Sequence, residues 1–201
     1  MKPEMITLKH GDATIKMPAA SLAKLALAST FAVVFPQAAN VAAPAPAATP
    51  ALGEYWPGQG GINGGLVAAR GDVPAHYLIF ATKDSGSFEW GPRSTDLSGT
   101  SKTDGELNTE LMCFDEKNYP AANACAEHEA DGHNDFYLPA AAELYQGWLN
   151  CPEVFAQDTY YWSSSQRSAY NAFLMYFDDG SQVISDKGSE LRVRPVRRFF
   201  I

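Results

Sequence analysis

Residues 160–198, YYWSSSQRSAYNAFLMYFDDGSQVISDKGSELRVRPVRR, constrain the fold more than any other part of the chain. An aromatic-serine turn, two strand-like runs and a final basic strand follow one another there. That is the order of a compact antiparallel domain whose loops form its display surface. Phe173, Met175 and Phe177 alternate with Ala172, Leu174 and Tyr176, as in a strand covered on both faces. Asp178-Asp179-Gly180 supplies a hairpin turn, with Gly180 at its end, and the chain returns through Gln182, Val183 and Ile184. Val193 and Val196 enter the last core strand, while Arg192 and Arg194 reach outward or neutralise nearby acids. Pro195 implies a sheet edge or bulge, because it has no N–H to donate to a ladder. Tyr161 and Trp162 are large anchors for the core, and the hydroxyls of Ser163, Ser164 and Ser165 are suited to satisfying turn backbone groups.

A chain of 201 residues, 46% hydrophobic and 12% aromatic, holds one domain of ordinary size and a smaller accessory region. Its formal charge of −8 disfavours a polyanionic partner, so no nucleic acid is expected, and Arg192, Arg194, Arg197 and Arg198 are its basic cluster. Cys113, Cys125 and Cys151 cannot all pair within one chain; a Cys113–Cys125 disulfide could form, and the redox compartment stays open.

The expected organisation is an assembly or anchoring segment over residues 1–41, a spacer over 42–52 and a folded domain over 53–201. ITLKHGDATIKM reads as a strand-turn-strand around His10-Gly11-Asp12. Pro18 can open an Ala/Leu-rich helix over residues 19–34 that Pro36 ends. This helix resembles the apolar part of a secretion signal, with small residues for cleavage in VAAPAPA, but a long preceding stretch carrying Glu4 and Asp12 favours an uncleaved, ordered segment. Lys24 breaks it, and a membrane span needs about 20 predominantly apolar residues. It is therefore expected to pack against copies of itself or a partner protein, with membrane association or packing within its own domain as alternatives. AAPAPAATP has the composition of an extended spacer.

In the central region, glycines 58, 60, 61, 64 and 65 suit turns and close backbone packing, since no Gly-Lys-Ser/Thr follows them. The Arg70-Gly71-Asp72 triplet has the letters of an adhesion motif, and such triplets are common by chance. Residues 77–81 read as a core strand and 84–110 mostly as loops. ELNTELMCFDEKNYPAANACAEHEA reads as helix, broken near Pro120 and stopped by Gly132. Pro139 begins a further helix that turns Leu144, Trp148 and Leu149 towards the core and leaves Glu143 and Gln146 wetter. Glu127, His128, Asp131, His133 and Asp135 form the strongest acid-imidazole cluster. Their spacing fits no strong zinc or EF-hand pattern, so a solvated helix end is preferred to a metal site. No cofactor is expected.

The segments AANACAEHEADGHNDFYLPAAAEL, YYWSSS, NAFLMYFDDGSQV and LRVRPVR together resemble the domain of unknown function 1566 family, known also from the C-terminal domain of the Legionella collagen-like adhesin and similar to C-type-lectin-like folds. The resemblance covers roughly residues 75–198. Where typical members place tryptophan and arginine before a Leu-Pro step, this chain has Phe136 and Tyr137. The resemblance implies an α+β, C-type-lectin-like domain, here with an N-terminal hairpin and apolar helix as extension. The calcium-linked acidic and amide motifs of sugar-binding C-type lectins are absent, although Asp178 and Asp179 could take calcium. The related formylglycine-generating fold uses a placed cysteine pair that the three cysteines here do not reproduce.

The expected protein is non-enzymatic: a virion or phage tail component that recognises a receptor, oligomeric and seated among neighbouring assembly proteins, or alternatively a secreted or anchored adhesin at a bacterial surface. Its target would be a cell-surface protein or glycan. Tyr160, Gln166, Arg167, Tyr170 and Asn171, which flank the aromatic-serine segment, are the candidate binding surface.

Overall fold

The computed structural model describes residues 5–10, 13–18 and 49–201. They fall into two units that divide between residues 48 and 49. In the first, β1 (Met5–His10) pairs antiparallel with β2 (Ala13–Pro18), with His10 opposite Ala13, so the hairpin expected around His10-Gly11-Asp12 is present. The expected apolar helix, and the spacer as far as residue 48, lie outside the described residues. Among the described residues no helix is long and apolar enough to cross a membrane.

The second unit is a mixed α+β domain. Residues 49–52, assigned above to the spacer, belong to it: the Asn63 amide donates to Pro50 O at 2.7 Å, and the Ala51 amide to Glu54 at 3.0 Å. A four-stranded antiparallel sheet has the order β11-β5-β4-β3, from Val196–Phe200, His76–Phe80, Gly61–Val67 and Tyr55–Trp56. A five-stranded sheet has the order β6-β10-β7-β8-β9, from Gly86–Glu89, Glu190–Val193, Tyr160–Gln166, Asn171–Tyr176 and Gln182–Asp186. Its only parallel contact is β10 with β7. Three helices, α1 (Gly105–Phe114), α2 (Pro120–Ala126) and α3 (Ala141–Asn150), lie between β6 and β7 in the chain.

The period of two along the strands separates two apolar cores. Trp162, Leu174 and Val193 join Trp90, Met112, Tyr119 and Cys125 in one. The strand neighbours Tyr161 and Met175 join Leu78, Phe80, Leu144, Phe155 and, from β11, Val196 in the other. Each fully buried large side chain contributes about 1.5–3 kcal/mol of transfer free energy.

The serine triplet is not a turn. Ser163, Ser164 and Ser165 lie buried inside β7, where the register with β8 shifts between Trp162 and Gln166. The irregularity frees backbone groups, and the small hydroxyls take them up. Ser163 Oγ donates to Phe173 O at 2.7 Å and accepts the Ser165 amide at 3.2 Å. Ser165 Oγ accepts the Ala141 amide at the start of α3, and Ser164 Oγ accepts from Asn108 on α1.

Other expectations need correction. The 84–110 stretch holds β6 and the start of α1, whose first turn is capped by the Asp104 carboxylate on the Leu107 amide at 3.1 Å. α2 stops at Ala126, and Gly132 instead completes a two-residue turn with Asp131 between Ala130 and His133 (φ +81° and +50°). α3 begins after Ala140, and it exposes Leu149 while burying Glu143. The Asp178-Asp179-Gly180 hairpin is present. Gly180 has φ +76°, and an added Cβ would lie 2.6 Å from the Trp148 ring. Pro195 sits where the chain leaves the five-stranded sheet for the edge of the four-stranded one, its carbonyl accepting the Ala81 amide at 2.8 Å.

A fragment of residues 49–201 is expected to fold alone, with one cooperative urea transition and the near-UV circular dichroism of the full chain. Loss of cooperativity in the fragment would show that residues 1–48 complete a core.

Candidate binding groove over the third helix

Three arginines of the basic cluster, Arg194, Arg197 and Arg198, are buried in the domain, while the Arg192 side chain stays 40% exposed. Arg192 and Arg194 both pair with Asp84, at 3.3 and 2.6 Å, and Arg194 also donates to Ala81 O and Val154 O. Arg197 grips both oxygens of Asp135, at 2.6 and 2.9 Å. Arg198, 6% exposed, meets Asp104, Glu106 and Glu143 at 2.8, 2.9 and 3.0 Å. The Glu143 carboxylate is the hub: besides Arg198 it accepts the Ala140 amide at 2.8 Å, the Gly105 amide at 3.1 Å and the Tyr137 hydroxyl at 2.9 Å. Burial pushes Glu143 above the ordinary glutamate value, against the pull of Arg198, the Ala140 amide and Tyr137. The first turns of α1 and α3 are thus fixed to the last strand.

Two recesses open beside this hub, sharing Thr103 and Ala142. One, about 510 Å³, has an aromatic wall of Tyr145 and Phe173, with Lys102 and Gln182 alongside. Tyr145 stacks on Trp148 at 5.7 Å, Lys102 Nζ lies 5.0 Å over the Phe173 ring, and Gln182 is fixed by its bond to Ala141 O at 2.8 Å. The other, about 300 Å³, is lined by Val67, Val73 and Leu107 together with Arg70, Asp72, Ser101, His76 and Gln146. The Arg70-Gly71-Asp72 triplet forms its lip as an exposed tight turn closed by the Arg70–Val73 bridge.

His76 is 3% exposed. Its Nδ1 lies 2.8 Å from Pro74 O, which can only accept, so Nδ1 carries the proton. Burial lowers the His76 pKa, although Pro74 O acts the other way, and the ring is neutral at pH 7. Its Nε2 is then a lone-pair acceptor with no partner. A buried acceptor left unmet costs about 1–3 kcal/mol.

The residues marked out above as a binding surface do not form one patch. Tyr160, 43% exposed, stands at the start of β7 with its ring 4.9 Å from Tyr176. Arg167 and the 54% exposed Tyr170 occupy the turn at the far end of that strand, roughly 20 Å away at about 3.3 Å per residue. The Asn171 carbonyl closes the turn by accepting the Arg167 and Ser168 amides. Gln166 is not free for binding, because its carboxamide turns inward to Leu97, Asp96 and Lys187.

The acid-imidazole cluster is likewise divided. Asp131 accepts the Tyr55 hydroxyl at 2.6 Å and the Gly58 and Gly60 amides at 3.0 and 3.2 Å, and His133 Nε2 bonds Gly58 O at 2.9 Å. Gly60 is required there: a Cβ would sit 2.6 Å from Ala130 O. Asp135 is held by Arg197, and His128 packs edge-on against Phe136. Cys113, Cys125 and Cys151 are all free, with Cys125 and Cys151 buried in different cores.

No family model and no curated protein matches the chain.

Replacing Arg198 by Met should cost about 3–5 kcal/mol in urea unfolding at pH 7, because Glu143 keeps its buried charge without its partner. The loss should shrink as pH falls and protonation neutralises that carboxyl, whose pKa burial raises; a cost under about 1 kcal/mol at pH 7 would contradict the hub. The Tyr55 hydroxyl, chiefly, and the Gly58 and Gly60 amides hold the Asp131 pKa below its ordinary value. The latch therefore contributes stability above the unfolded aspartate pKa and loses it as pH falls through the lower folded value. In an NMR titration the Gly58 and Gly60 amide shifts should move together with a midpoint below about 3.9. A midpoint at or above that value would mean that Asp131 holds neither amide.

Proposed function

We propose that this chain is a non-enzymatic recognition protein whose 49–201 body, of C-type-lectin-like plan, binds a polyhydroxylated group such as a cell-surface glycan in the groove over α3. The observation that carries this reading is the aromatic wall of Tyr145 and Phe173, flanked by Lys102 and Gln182, in a recess that adjoins a second one lined by Arg70, Asp72 and Gln146. A sugar's C–H face can lie against the rings while its hydroxyls meet those polar side chains. Of the acids lining that second recess, Asp104 and Glu143 are engaged by Arg198, and Asp72 stands on its exposed lip. The hairpin unit suits attachment to an oligomeric assembly, either a virion or phage tail or, in the alternative setting, a bacterial surface adhesin; the same groove serves both. An oxidoreductase of formylglycine-generating type would need a reactive thiol pair; Cys125 and Cys151 lie in separate cores, and Cys113 and Cys125, though near each other, are thiols that burial pushes up.

The test is binding of the full chain to an oligosaccharide array and to host cells. Tyr145→Ala with Phe173→Ala should weaken binding about tenfold or more, as truncation of an aromatic anchor does. Arg167→Ala with Tyr170→Ala should leave it unchanged. The reverse pattern would move the binding face to the β7–β8 turn.

A further inference from the structure

Behind that turn an amine, a carboxamide and a carboxylate converge. Lys187 has no solvent exposure; its Nζ donates to Thr95 O at 2.7 Å and to Gln166 Oε1 at 2.6 Å, and lies 4.4 Å over the Trp90 ring. The Gln166 carboxamide is held at both ends. Oε1 also accepts the Leu97 amide at 3.0 Å, and Nε2 donates to Asp96 and, at 3.3 Å, to Leu97 O. The 95–97 segment that supplies these groups is fixed in turn: Ser94 has φ +60°, the Thr95 amide donates to Ala169 O, and Lys117 Nζ donates to Thr95 Oγ1 at 3.1 Å. An ordinary surface lysine needs none of this. The arrangement instead provides the parts of an amide transfer: a desolvated amine, a polarised carbonyl and an acid on the leaving nitrogen.

We propose that Lys187 and Gln166 form an intramolecular isopeptide bond, with loss of ammonia.

In that step the lone pair of neutral Lys187 Nζ attacks Gln166 Cδ, and the carbonyl π pair moves onto Oε1, where the Leu97 N–H receives the developing charge. Asp96 relays the proton released by Nζ to Nε2 and ends unchanged. The Cδ–Nε2 bond breaks, ammonia leaves past the exposed Asp96, and a secondary amide joins Cδ to Nζ. One amide replaces another, so no oxidant or co-reactant is needed. Burial supplies the free amine, bringing the Lys187 pKa down to about 8; Lys117 adds to this fall and Asp96 opposes it. The bond would tie the end of β7 to the residue after β9, across β8, stapling the sheet of a displayed domain.

The experiment is mass spectrometry of the intact full chain and of its tryptic peptides, before and after incubation at about pH 9. The expected result is a chain lighter than its sequence by one ammonia, about 17 Da, and a single species in which the Gln166 and Lys187 peptides are joined. A succinimide at Asn63-Gly64 would lose the same mass but would join no peptides. Lys187→Met should keep full mass. Because that variant removes a buried contact, the surface change Asp96→Asn serves as the second arm, with a folded domain in which the bond forms at least tenfold more slowly. Separate peptides at full mass in the unaltered protein after prolonged incubation overturn the proposal, and so does a link that survives Lys187→Met.

Discussion

The domain depends on the contact between Arg198 and Glu143. Both are buried, one on the final strand and the other in the first turn of α3, and neither could be charged there alone. Together with Asp104 and Glu106 they fix the ends of two helices to a strand that arrives last in the chain. The same C-terminal run repeats the device with Arg194 on Asp84 and Arg197 on Asp135. Apolar burial in the two cores supplies the stability, and the paired charges select how helices and sheets are set against each other.

The groove follows from that setting. Its shared wall at Thr103 and Ala142 lies one residue from Asp104 and one from Glu143, so the hub that anchors α3 also places the recesses. The serines of β7 help from beneath through Ser165 on the Ala141 amide and Ser164 on Asn108. Rigid walls reduce the ordering cost of binding.

What could be read in the sequence was whatever local chemistry decides. The Asp178-Asp179-Gly180 hairpin, the two-sided β8, the helices on either side of Pro120 and the α+β character all follow from periodicity and turn residues. Misreadings fell where the deciding partner is distant. Glu143 looked solvated because helix periodicity cannot see Arg198, 55 positions later. Gln166 looked like a surface residue because Lys187 and Leu97 lie 21 and 69 positions from it. Asp131 and His133 looked like part of a local cluster, while their partners Tyr55 and Gly58 are more than 70 positions earlier. The triple serine resembled a turn by composition, and only the register shift of β7 shows what the hydroxyls satisfy. The arginines did carry a usable signal: four of them crowded into residues 192–198 of an acidic chain require acids to meet them.

The most direct measurement is the ¹⁵N–¹H NMR spectrum of the full chain, with and without a library of soluble oligosaccharides. A binding sugar should shift the amides of Thr103, Ala142 and Tyr145 together. Sugar-induced shifts confined to residues 167–170, or no shift with any sugar, would contradict the groove.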